Sequence, residues 1–170
     1  MTEYKRTIGY GKTKVTSELS PDHPVHRGVL QAQEIMGGFP EHVGHIFIKH
    51  GLKPAPRKDH VISGECSQPS QGRSRINIYA GSIEAAVDSY LVESKATRTT
   101  LHEIGHSDRL REEQAGAWLG RKPSRKWEEQ DADEFATQAI RSHQAEKSRG
   151  RPRLTMRQLI DLRRSQQVED

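Results

Sequence analysis

The chain has 170 residues, 32% hydrophobic and 29% charged, with a formal net charge of +4 and a pI near 9.3. That length fits one domain with a modest core, and the charge is too mild to define a nucleic-acid binder by balance alone. The single Cys66 excludes an internal disulfide and suits a reducing compartment, and no apolar run approaches the ~20 residues of a membrane helix, so the expectation is a cytoplasmic protein with no membrane partner and no signal peptide.

Taken in chain order, residues 1–20 are polar, Thr/Lys-rich and without periodicity, which predicts a loosely ordered N-terminal segment. A compact unit is expected over 21–145. It opens with a helix capped by Ser20 or Asp22, with Pro24 in its first turn, Val25, Val29, Leu30 and Met36 on its apolar side, and Gly37-Gly38 ending it. Short strands are expected at 45–48, 60–62 and 75–79, separated by turn-rich stretches at 53–58 and 63–72. A helix over 83–92 precedes a long one from about Thr97. Strands first and helices afterwards predict an α+β fold, a small mixed sheet packed on the long helix.

That long helix carries His102-Glu103-Ile104-Gly105-His106. Positions i and i+4 share a helix face, so the two imidazoles can reach one Zn²⁺, while Glu103 can hold a metal-bound water and take its proton. A third ligand is expected from the next amphipathic segment, where Ala132, Phe135, Ala136, Ala139 and Ile140 recur at helical spacing. Among its acids, Glu129 and Asp133 lie on that apolar side. A carboxylate there is costly unless paired or bound to metal, so Glu129 is the expected ligand. Asp133, one turn further on, suits a partner for the outer N–H of a ligand histidine. Two histidines, one Glu and an open fourth position describe a catalytic zinc site. His23, His26, His42, His45, His50 and His60 form no i, i+4 pair with a nearby acid and read as ordinary surface or core residues.

His-Glu-Ile-Gly-His followed by Glu129-x-x-Ala132-Asp133-x-Phe135-Ala136 resembles the gluzincin class of zinc peptidases, and within it the short intracellular ImmA/IrrE-like group. The likeness covers roughly residues 75–140. Two departures stand out: Asp133 replaces the usual Asn, and Thr137-Gln138-Ala139-Ile140 replaces the frequent Leu-Leu-Met-Pro. The resemblance implies a zincin-like fold, with a glutamate-bearing helix after the active-site helix. It also implies an edge strand that holds an extended peptide, for which 76–79 is the candidate. His143 and Tyr79 (and, less centrally, Tyr90) are candidates to stabilise the transition state. The implied partner is a protein or peptide substrate, with transcriptional repressors as typical targets in that group.

Residues 146–170 read as a basic linker and a C-terminal helix opened by Thr155-x-x-Gln158. Arg149, Arg151 and Arg153 in segment 149–153 resemble the core of an AT-hook, a candidate DNA contact. Two function classes follow. One is a zinc-dependent endopeptidase with Glu103 as general base, acting as a regulatory protease of a specific intracellular protein. The other is a DNA-associated or regulatory binding protein with a structural zinc. Glu103 separates them, because a structural site has no use for it.

Overall fold

The computed structural model describes residues 6–54, 61–67, 73–117 and 128–149. Five strands, β1 (Arg6–Tyr10), β2 (Thr13–Ser17), β3 (Val43–Lys49), β4 (Gly64–Ser67) and β5 (Ser74–Tyr79), form one sheet in the order β1-β2-β3-β5-β4. The inner pairs β2–β3 and β3–β5 are parallel, and the outer pairs β1–β2 and β4–β5 are antiparallel. The helices are α1 (Pro24–Met36), α2 (Ala80–Ala86), α3 (Val92–Ala117) and α4 (Glu128–Arg149), with one 3-10 turn at Ser89–Leu91. The class is α+β with a mixed sheet. Among the described residues, no helix is long and apolar enough to cross a membrane.

The β1–β2 hairpin occupies the segment that composition predicts to be loose. Most of its side chains are polar, and its threonines are satisfied within the sheet. Thr13 Oγ1 donates to the Val43 carbonyl at 2.7 Å, and the Thr16 hydroxyl lies 2.7 Å from His45 Nε2 and 2.8 Å from the Thr7 hydroxyl. Threonine keeps its β-branched fit to a pleated surface while its hydroxyl bonds across strands, so no apolar alternation marks such strands.

In α1 the cap is His23, whose Nδ1 accepts from the Val25 N–H at 3.3 Å; neither Ser20 nor Asp22 serves. Gly37 N–H and Gly38 N–H close the other end on the Glu34 and Gln33 carbonyls. The helix expected over 83–92 is broken instead. Val87 is fully extended, and α3 begins at Val92, five residues ahead of expectation. Its first turns contain Thr97 and Thr100, poor helix formers whose hydroxyls bond back to the Glu93 and Ala96 carbonyls at 3.0 and 2.8 Å. Packing of α3 against α1, α4 and the sheet overrides that weak propensity.

Two strand expectations fail. Val61 makes only an isolated bridge to Pro54, and the strand forms instead at Gly64–Ser67 within the stretch read as turns. As a result β5 lies between β3 and β4, and the edge beside α3 is β4, not 76–79. Strand β4 alternates as a strand should. Gly64 and Cys66 pair in register with the buried Ile78 and Ile76, while Glu65 and Ser67 pair with Asn77 and Arg75. At the far end, α4 continues through Arg149, past the expected boundary at 145. The remainder of the 149–153 segment and the helix expected near 155 lie outside the described residues.

The core joins Ile46, Ile48, Ile76 and Ile78 of the central strands to Val25 and Val29 of α1 and Leu101 and Ile104 of α3. Phe135, Ala136 and Ala139 of α4 complete it. Ile78 is fully buried between sheet and helices. Ile78→Ala should therefore destabilise the domain by about 2–5 kcal/mol in urea unfolding, the usual sum of lost transfer energy and a residual cavity. A change below about 1 kcal/mol would show that this part of the core can collapse around the gap.

Candidate metal centre and cleft

Helix α3 reaches the surface of a cleft of about 580 Å³ with Lys95, Arg98, Thr99, His102, Glu103 and His106. The opposite wall is β4 and the residues just before it, and α4 contributes Glu129 and Asp133. Two close approaches set this geometry. A Cβ on Gly105 would stand 3.0 Å from Ala132 Cα and 3.3 Å from Phe135 Cβ, so glycine eases the close approach of α4 to α3. A Cβ on Gly64 would stand 2.8 Å from Glu103 Cγ and Oε1, so glycine also lets the edge strand lie directly against Glu103.

Glu129, three residues before Ala132, is thereby carried to the two imidazoles. His102 Nε2 lies 3.0 Å from His106 Nε2 and 3.2 Å from Glu129 Oε2, and His106 Nε2 lies 3.4 Å from Glu129 Oε1. His102 Nδ1 faces Asp133 Oδ1 at 3.1 Å. A carboxylate only accepts, so this bond places the ring proton on Nδ1 and leaves the Nε2 lone pair facing His106 and Glu129. A lone pair, a second ring nitrogen and an anion converging in this way could accommodate a cation among them. Ligand atoms around a small tetrahedral ion with bonds of about 2.0–2.1 Å stand about 3.3 Å apart, and these spacings agree. His102, His106 and Glu129 could therefore hold a metal ion, and they are the group among the described residues placed to do so.

One premise of the sequence reading is corrected. Ala132, Phe135, Ala136 and Ala139 are buried, but the Glu129 and Asp133 side chains are 80% and 59% exposed. They lie on the open flank of the apolar stripe, at the mouth of the cleft. Glu129 reaches the histidines by position along the helix and not by burial. Glu103 is the buried carboxylate, at 6% exposure. Burial first, then the negative charges of Glu129 and Glu65, push its pKa up to about 8.

Tyr79 and His143 are not brought into the cleft. Both are buried; the Tyr79 hydroxyl donates to Glu65 Oε1 at 2.6 Å, and His143 sits on α4 away from the lining. Exposed Tyr90 does not line the cleft either. Glu65, by contrast, does line it and was hidden in the turn-rich composition. Burial alone would raise its carboxyl, but the Lys53 ammonium and the Tyr79 hydroxyl outweigh that and hold it below its usual range. Asn77 Nδ2 donates to it as well, at 3.0 Å. Cys66 also lines the cleft, but burial and then the charge of Glu103 push its thiol up to about 12, which keeps it from acting as a thiolate. Of the remaining histidines, His23 caps α1, His45 meets Thr16 and His26 is buried, while His60 lies outside the described residues.

No known family profile and no curated protein matches this chain. Among solved structures, a conserved hypothetical protein from Thermo thermophilus is similar at 23% identity with a TM-score of 0.44, over 55% of this chain and 95% of that one. The chemistry of the cleft rests on its own residues.

A carboxyl with a raised folded-state pKa stabilises the fold relative to its ionised form below the unfolded value, and that contribution is lost as pH rises through the folded value. With chelator present, the unfolding midpoint of the protein should fall between pH 5 and about 8.5, and Glu103→Gln should remove most of that fall. At about 1.4 kcal/mol per pKa unit, the variant should be the more stable by a few kcal/mol at the upper end. Parallel pH profiles for the two proteins in guanidinium titrations would contradict a desolvated Glu103.

Proposed function

We propose that the protein is a zinc-dependent endopeptidase with a zincin-like arrangement of sheet edge, active-site helix and glutamate-bearing helix. The observation that carries this reading is the buried Glu103 carboxyl, set beside three converging metal-type donors and open to a cleft walled by an edge strand. A structural ion would need the three donors and would have no use for Glu103. That ranks the alternative, a binding protein with a structural zinc, below the peptidase.

His102, His106 and Glu129 would hold the zinc. When bound, the ion supplies Lewis acidity, polarising the peptide carbonyl and acidifying water. Glu103 takes the proton of the attacking water at its carboxylate and returns it to the leaving amine. Asp133 fixes the tautomer and orientation of His102 through Nδ1. Among the described residues strand β4 pairs with β5 alone, so its other side offers backbone N–H and C=O groups to an extended peptide. Gly64 keeps that strand against Glu103, so a peptide added there passes over the base.

The metal assignment predicts about one zinc per chain by elemental analysis, with affinity largely lost in His102→Ala, His106→Ala and Glu129→Ala. Asp133→Ala should keep its zinc but lose about 10–100-fold in affinity. Full occupancy in either histidine variant would remove the centre.

The base assignment is tested separately. Zinc-loaded Glu103→Gln should cleave a protein substrate about 10²–10⁴-fold more slowly than the parent. Undiminished cleavage by that variant would require another base.

A further inference from the structure

Lys95, Arg98 and His102 lie at helical spacing of three and four along α3 and all face the cleft. Lys95 is half-buried there, and among the described residues no carboxylate pairs with it. Of the acids of the same cleft, Glu103 is buried and the other three are engaged elsewhere. Glu65 is held by Lys53, Tyr79 and Asn77; Asp133 by His102 and, at 3.7 Å, Arg98; and Glu129 by the two histidines. Arg98 Nη2 also donates to Thr137 Oγ1 at 3.3 Å, but its side chain is 46% exposed. A guanidinium has five N–H donors, so several still face the cleft. Two cations thus stand on one wall, and one of them has no counter-charge from the described protein. A cleft built in this way favours an anion brought by the ligand.

We propose that Lys95, assisted by Arg98, forms a carboxylate-recognition subsite that selects peptides with an acidic group on one side of the cleaved bond. The proposal deepens the peptidase reading and rests on it for the cleavage itself, though not for binding. Position along the chain follows from geometry. Seven residues of helix separate Lys95 from His102, about 10 Å at 1.5 Å per residue. An extended peptide advances about 3.3 Å per residue, so the recognised carboxylate stands about three residues from the bond held beside His102. The carboxylate can be an internal Asp or Glu side chain or the free C-terminus of the peptide. Lys95 is a specificity residue here and takes no part in bond cleavage.

The test uses the full chain loaded with zinc and a randomised ten-residue peptide library, supplied with either free or amidated C-termini and read by mass spectrometry. The parent should enrich Asp and Glu about fivefold near the third residue from the cut, the scale of one favourable ion pair. Lys95→Met should lose that enrichment, and Lys95→Glu should replace it with Lys and Arg. The loss should fall on KM, with kcat within about twofold, since the reacting groups are untouched. Enrichment that survives amidation assigns the internal side chain, whereas loss on amidation alone assigns the terminal carboxylate. Cleavage with no acidic preference, or an unchanged preference in Lys95→Glu, overturns the subsite and leaves the peptidase standing. If the parent cuts nothing, the peptidase reading fails, and fluorescence anisotropy decides the subsite by itself. A fluorescein-labelled peptide carrying Asp-Glu should then bind the parent about fivefold more tightly than its Asn-Gln counterpart, with no such difference in Lys95→Glu. Equal binding of the two peptides to the parent overturns it.

Discussion

The close contact of α3 with α4 at Gly105 is the constraint on which the site depends. His102 and His106 share a face of α3 for reasons of helix pitch alone, but Glu129 belongs to another helix. Its approach is fixed by how near the two backbones can come. With Ala132 Cα only 3.0 Å from where a Gly105 Cβ would stand, a Cβ there would require α3 and α4 to give by a few tenths of an ångström beside the helix that carries Glu129. Gly105 costs helix propensity, about 1 kcal/mol relative to alanine in a helix interior. Burial of Phe135, Ala136 and Ala139 against α3 offsets that cost and makes the contact rigid.

The same economy governs charge. Four carboxylates meet around one cleft, and each is handled differently. Glu129 and Asp133 stay at the solvent-exposed mouth, where hydration and the histidines hold them. Glu65 is stabilised as an anion by Lys53, Tyr79 and Asn77. Among the described residues Glu103 is left buried without a cation beside it, and its proton affinity rises through that burial. Two carboxyl groups on neighbouring elements are thus driven in opposite directions by their surroundings, Glu65 toward the anion and Glu103 toward the acid. Burial without a counter-charge and pairing with a cation account for the two directions.

Much of this was legible in the sequence, because it is local. Helix pitch and the spacing of His102, Glu103 and His106 define one functional face, and the run Ala132, Phe135, Ala136, Ala139 marks the helix that meets it. The pairing of Asp133 with His102 follows from a one-turn offset after Glu129. Elements held by non-local pairing were not legible. Strand β2 carries threonines whose partners, Val43 and His45, lie about thirty residues away, and β1 pairs with β2. Strand β4 is four residues long, with glycine and serine at its ends, and only its pairing with β5 makes it a strand. Mistaking 76–79 for the edge followed from missing β4. Assigning Tyr79 a role toward substrate failed for the related reason that its hydroxyl is committed to Glu65, a residue of the unseen strand.

An open edge carries a liability, since unpaired N–H and C=O groups invite pairing with any extended chain. Proteins limit this with short edges and charged residues, and β4 shows both: four residues, with Glu65 among them. A protein that needed only a closed sheet could cover such an edge or end it at β5. Here the strand is kept, and Gly64 gives up side-chain packing so that its backbone lies against Glu103. The sheet thus brings its unpaired side to the one place where a buried acid and three converging donors already meet. Edge, base and donors separately have ordinary structural explanations. Their meeting at Gly64 has a packing reason too: a Cβ there would stand 2.8 Å from Glu103 Cγ and Oε1 and from Thr99 Cγ2, so glycine is what lets strand and helix lie this close.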